Sequence, residues 1–281
     1  MLIIKKNLSL KAKIAHCLVC AVCLVSSAVV SAAVETRQIE FWNDFEPSSL
    51  IDLDHSPFSE ILNKYVISDH PSGIARFNYE AVTEADYAKL ERYLDFLQIM
   101  EPRQLTQAEA KAYWINLYNA ATLRFVVKAV ANGRASKIRA RGLPARRWRQ
   151  KIITISEQRL SLEDIMHGVI RPMYNDRRVH YALFFCTLGG ADMPKEAFDG
   201  DNNEALLTSL ETSFLQHSRA VRIEGDSLML SEIFKQYDTD FATNRRDLIE
   251  YLKQRVPDPV AQAMSGVNRI RYDYDETVNA P

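Results

Sequence analysis

Apolar residues recur along this chain with two different periods, and the changes of period mark its elements. Tyr87, Leu90, Leu94 and Leu97 stand at helical spacing behind Thr83, which pairs with Asp86 as a capping signature, so a helix is expected there. Thr106 and Glu109 cap a longer one, "TQAEAKAYWINLYNAATLRFVVKAVANG", which Asn132-Gly133 ends. The pattern then shortens. "KIITI" and "QRLSL", separated by Ser156-Glu157, read as a hairpin, and Ser161 with Asp164 opens a brief helix, "LEDIMHGVI", expected to stop near Pro172. "VHYALFFCT" is apolar throughout and reads as a buried central strand. Leu206, Leu207, Leu210 and Phe214 mark a helix, "AVRI" and "LML" a hairpin about Glu224-Gly225-Asp226, and Leu248, Tyr251 and Leu252 a last helix before Pro257. "RIRYDYDETVN" closes the chain as an edge strand.

Residues 34–76 show weak periodicity and several Pro, Ser and Asp residues, which suits a wrapping arm with one short helix near Phe58 to Tyr65. Early helices followed by hairpins predict an α+β fold over residues 77–281: a single domain with several helices packed on a small, mostly antiparallel sheet. There is no internal repeat and no linker.

Residues 1–33 change the picture. Lys5, Lys6, Lys11 and Lys13 precede an apolar run from Ile14 to Val30 that is too short for a membrane span, and small residues follow. This reads as a secretory signal peptide, so the expected location is periplasmic, with no transmembrane span after cleavage. Cys17, Cys20 and Cys23 leave with it. Cys186 then stands alone, which excludes an internal disulfide, and the fold must rest on its core. Without the leader lysines the 35 basic residues become 31 against 36 acidic ones, a balance that does not suit a nucleic-acid partner.

Four candidate groups carry chemistry. In "YWINLYNA", Trp114 and Tyr118 share one helix face, while Asn116 and Asn119 share an adjacent edge. Buried amides need partners, so the asparagines either brace loops through backbone groups or line a cleft. His167 and His180 flank other polar groups and suit a general base, whereas His55, His70 and His217 lie in stretches that read as surface. No compact metal signature occurs, and neither a metal nor a cofactor is expected. Cys186 precedes a Gly-Gly pair where a nucleophile can be presented, yet Phe184, Phe185 and Leu188 offer nothing to lower its pKa. The basic run from Arg134 to Lys151 reads as a solvated face or as a contact for an anionic polymer or lipid, with Trp148 adding an interfacial or stacking contact.

"YWINLYNAATL", "LSLEDIMHGVIR", "RRVHYAL", "LSEIFKQYDTDF" and "YDYDETVN" together resemble the domain of unknown function 547 family, in order and spacing, from about Tyr79 to Asn279. The resemblance implies that Trp114, Asn116, Tyr118, Asn119, His167, Arg171 and His180 form a polar signature. Two departures stand out: Met166 occupies the position of the family's acid before the helix histidine, and Cys186 lies one residue off the family's cysteine position. A one-residue shift along a strand turns a side chain to the opposite face, so Cys186 reads as packing. The expected function is therefore a secreted domain binding a ligand or cell-envelope partner through a cleft with Trp114, Asn116, Tyr118, Asn119, Arg171 and His180. The alternative is a hydrolase or acyl-transferase using His180 or His167 as base with Cys186 or an activated water, which requires a bulge that turns Cys186 toward His180.

Overall fold

The computed structural model describes residues 34–134, 145–267 and 269–281, which leaves residues 1–33 and most of the basic run outside the described residues. Three helices follow the apolar spacing. Ser56–Tyr65 (α1) starts on Pro57 and buries Phe58, Ile61, Leu62 and Tyr65. Glu84–Ile99 (α2) is capped by Thr83, whose hydroxyl accepts from Asp86 N at 3.2 Å, and it buries Leu90, Leu94 and Leu97. Gln107–Ala131 (α3) is capped in the same way by Thr106 and is buried without interruption from Glu109 to Leu123. A helix buried on every side lies inside the protein, and α2 together with residues 79–81 and 164–170 packs against α3.

Ala145–Trp148 (α4) leads into the expected hairpin, Ile153–Ile155 (β3) with Gln158–Leu160 (β4). Ser156 and Glu157 both take positive φ, the geometry whose twist matches that of the flanking strands. Val66–Ile67 (β1) pairs with Arg76–Phe77 (β2). Val221–Glu224 (β5) pairs antiparallel with Ser227–Ser231 (β6), which pairs in parallel with the edge strand Arg269–Asp273 (β7). The fold is α+β, and its strands form small separate sheets.

Two expectations need correction. "LEDIMHGVI" forms a π-helix, Asp164–Ile170, opened by reciprocal bonds between Ser161 and Asp164. It does not stop at Pro172, which sits in the first turn of Arg171–Tyr174 (α5), where its missing N–H costs nothing; Asn175 in the left-handed region ends the helix. The run "VHYALFFCT" is not a central strand. Val179–Ala182 (α6) is helical and the chain extends only after it. Its apolar character reflects burial on all sides, and the side chain of Asn119 takes the backbone groups of Ala182 and Phe184 that a neighbouring strand would have taken.

The arm over residues 34–55 fastens onto the π-helix, with Arg37 N and Ile39 N donating to the carbonyls of His167 and Gly168 at 3.0 and 2.8 Å. Downstream lie Asn203–Gln216 (α7), Ile233–Gln236 (α8), Asp238–Phe241 (α9), Arg245–Lys253 (α10) and Asp258–Ala263 (α11). The last residues return to the core: Leu188 N donates to Thr277 O at 2.8 Å, Gly189 N to Asp275 O at 2.9 Å, and Asn279 N to Cys186 O at 3.2 Å. Among the described residues no helix is long and apolar enough to cross a membrane.

Candidate functional site

Helix α3 supplies braces. Asn116 donates to Phe198 O at 2.7 Å and accepts from Phe198 N at 3.1 Å, and Asn119 makes the same pair with Ala182 O and Phe184 N, both at 2.8 Å. Each amide thus mimics a strand partner for a buried loop. The expectation that these asparagines line a cleft is corrected: both are buried and both ends of each amide are engaged. Trp114 is enclosed as well, edge-on to Trp42 and Tyr113. Tyr118 is buried and its hydroxyl accepts from Trp148 Nε1 at 3.2 Å. Trp148 is therefore no interfacial residue; it packs inward, edge-on to His167 at 5.0 Å.

The structure does bring His167, Arg171 and His180 together, around an acid that sequence reasoning passed over. Arg171 forks onto Asp240, with Nε 2.6 Å from Oδ2 and Nη2 2.9 Å from Oδ1, and its Nη1 lies 2.8 Å from His167 Nδ1. A guanidinium only donates, so His167 Nδ1 accepts and the proton of the neutral ring sits on Nε2. His180 Nε2 lies 2.7 Å from Asp240 Oδ2, and a carboxylate only accepts, so this nitrogen carries the proton. His180 Nδ1 is left as a buried lone pair without a partner. The His180 ring stacks on Tyr237 at 4.2 Å, with the Arg171 guanidinium over the same ring.

The electrostatics follow from this geometry. Burial lowers the pKa of His180 more than Asp240 raises it, so the imidazole is neutral. Burial raises the Asp240 carboxyl, but the bonds from His180 and Arg171 outweigh it and hold the group well below the ordinary carboxylate range. The site is one close ion pair flanked by two imidazoles. It reaches solvent through Asp240, whose side chain is 19% exposed. There Asp240 fronts an open depression of about 430 Å³ with Arg177, Asp247, Glu250 and Tyr251. Asp240 lies within the motif "LSEIFKQYDTDF", and its place between Tyr237 and Phe241 was the available signal.

Cys186 is elsewhere in chemical terms. Cys186 takes a positive φ of +57°, but this is not the bulge toward His180 that an enzyme reading requires. The thiol faces the Tyr79 hydroxyl, and no hydrogen bond joins Cys186 to His180. Burial pushes the thiol pKa up to about 12, against the opposing pull of Tyr79. Tyr79 in turn donates to Asn279 Oδ1 at 2.5 Å, so the cysteine belongs to the clasp that holds the C-terminal segment. Gly189 belongs there too: a Cβ at this position would lie 2.7 Å from Asp275 N.

His55 is not a surface residue. It is buried, with Nδ1 2.6 Å from the Tyr93 hydroxyl and Nε2 3.5 Å from Glu109 Oε1. Glu109 also accepts from Leu53 N and Gly200 N; burial raises its pKa, but these contacts outweigh it and hold it low. The pair backs an acidic depression of about 730 Å³ that includes Asp52, Asp54 and Asp199. Among the described residues no cluster of three or more His, Cys, Asp or Glu has the arrangement of a metal site. Of the basic run, Arg134, Arg147, Arg149 and Lys151 are exposed, and residues 135–144 lie outside the described residues.

Residues 102–215 match the family model described as a protein of unknown function, DUF547. The chain resembles that family over α3, the hairpin, the π-helix and the segment carrying His180 and Cys186. Asp240, which bonds to both Arg171 and His180, lies beyond the matched stretch. No curated protein and no solved structure matches the chain.

Proposed function

We propose that this chain is a secreted domain of the cell envelope that binds a polar ligand on the face fronted by Asp240, without thiol chemistry. The observation that carries the reading is the state of Cys186: buried, turned to Tyr79, protonated at physiological pH and unpaired with any imidazole. A nucleophilic cysteine requires the reverse, an accessible thiolate beside a base or cation. Secretion rests on the signal-peptide pattern of residues 1–33.

In this reading the buried network of His167, Arg171, Asp240 and His180 is a scaffold that fixes Asp240 at the surface, where its carboxylate edge meets the ligand. Arg177, Glu250 and Tyr251 supply polar and aromatic contacts around it. Hydrolysis with His180 as base is the second reading, favoured by one observation: Asp240 orients His180 through Nε2 and leaves Nδ1 as a lone pair. Its obstacle is that His180 is fully buried.

Co-sedimentation of the mature chain with purified cell-wall polymer tests the binding reading. Wild-type protein is expected to sediment with the polymer and Glu250→Arg to remain in solution; equal behaviour of the two refutes the proposed face. Release of soluble fragments from the polymer, abolished by His180→Gln, would replace the binding reading with the hydrolytic one.

A further inference from the structure

Two arginines, Arg76 and Arg219, are buried close enough to feel each other's charge, and only one of them meets a carboxylate. Arg76 stands on β2 and Arg219 in the turn between α7 and β5; Arg76 is 8% exposed and the Arg219 side chain 7%. Arg219 Nη2 lies 2.9 Å from Asp192 Oδ2, a close contact without the alignment of a hydrogen bond. Asp192 is otherwise occupied, accepting from Ala75 N at 2.8 Å and from the Ser213 hydroxyl at 2.6 Å. Arg76 Nη2 donates to the Ser72 hydroxyl at 3.1 Å. Arg76 Nη1 and Arg219 Nε and Nη1 have no acceptor, although all are buried.

Guanidinium groups stay charged in proteins; Arg219 meets the Asp192 carboxylate, while Arg76 forms no ion pair among the described residues, so a buried positive charge is left uncompensated. Burial and the neighbouring Arg76 both lower the pKa of Arg219, and Asp192 offsets this only in part. Several N–H groups of fixed geometry with no acceptor form the complement of an oxyanion. Ser72 and Ser213 at the rim are exposed. We propose that Arg76 and Arg219 form a binding site for a small oxyanion, a carboxylate or a phosphate group, which enters past Ser72 and Ser213. The site is separate from the face fronted by Asp240, and the two readings stand or fall independently.

Isothermal titration of the mature protein with sodium phosphate and, separately, sodium acetate, at ionic strength held constant with chloride, tests the proposal. One of the two is expected to give saturable one-site binding, and which one does so tells phosphate from carboxylate. Arg219→Gln should weaken it about tenfold or more, the loss of a charge-assisted hydrogen bond, while Arg246→Gln on the exposed face of α10 leaves it unchanged. If Arg219→Gln fails to fold, Arg76→Gln removes the other donor and should weaken binding likewise. Absence of saturable binding by either anion overturns the proposal, as does equal binding by the wild type and a folded variant.

Discussion

Replacing Asn119 by alanine separates a brace from a ligand contact. The substitution removes the donor to Ala182 O and the acceptor for Phe184 N, both bonds at 2.8 Å. Both backbone groups lie in a stretch buried from Val179 to Thr187, so water does not take the place of the amide. An unpaired buried backbone group costs about 2 kcal/mol, giving a total of about 4 kcal/mol for the two. For a domain of this size that corresponds to a fall of about 8–16 °C in Tm. Urea unfolding followed by tryptophan fluorescence measures the change, with an unchanged denaturant slope confirming that the native state itself was weakened. Asn119→Asp should restore only the acceptor for Phe184 N and set a carboxylate against Ala182 O. A loss below about 1 kcal/mol for Asn119→Ala would refute the reasoning, because it would mean that the amide is dispensable to the fold and available to a ligand.

Two further outcomes follow from the same contacts. Gly189→Ala brings a methyl group within 2.7 Å of Asp275 N and 3.0 Å of Asp275 O, so residues 274–281 should lift away and amide exchange should quicken there while α3 stays protected; unchanged exchange contradicts the clasp. Stability should also fall with acid in two stages. His180 has a folded pKa below its ordinary value of 6.5, so the unfolded chain takes up more protons and stability declines as pH drops below about 6.5. Asp240 has a depressed folded pKa, so its contribution is present above its ordinary value of 3.8 and is lost as pH falls below it toward the folded pKa. Asp240→Asn should lower stability at neutral pH and flatten the acid limb of urea-unfolding curves; an identical pH profile would remove Asp240 from the network.

Much of the fold was legible because capping pairs and helical spacing are local signals. Thr83, Thr106 and Ser161 cap where their sequences say they should, and the hairpin at Ser156-Glu157 forms where its turn predicts. The segment after Val179 was not legible, since a run buried on every side has no period to read and its backbone partner is a side chain 63 residues away. The candidate site was half legible. His167 and Arg171 are four apart on adjoining helical turns, and their contact could be anticipated, but Asp240 bonds to Arg171 across 69 residues of sequence. The burial of His55 depended on Tyr93 and Glu109, both distant in sequence, and its polar neighbours Asp52 and Asp54 concealed it. The φ of Cys186 leaves no local signature in "FFCTLGG"; it is set by the returning C-terminal segment, where Asn279 bonds to both Cys186 and Tyr79.

The central claim, that the thiol packs and does not react, is tested most directly by the rate at which iodoacetamide modifies Cys186 in folded protein comprising residues 34–281 as a function of pH, beside the same protein carrying His180→Ala. Labelling should be slow at neutral pH, should rise only toward the pH at which the protein unfolds, and should be indifferent to His180 in the folded state. Rapid labelling with an apparent pKa below that of a free thiol, slowed by His180→Ala, would mean an exposed thiolate paired with the imidazole and would contradict the account.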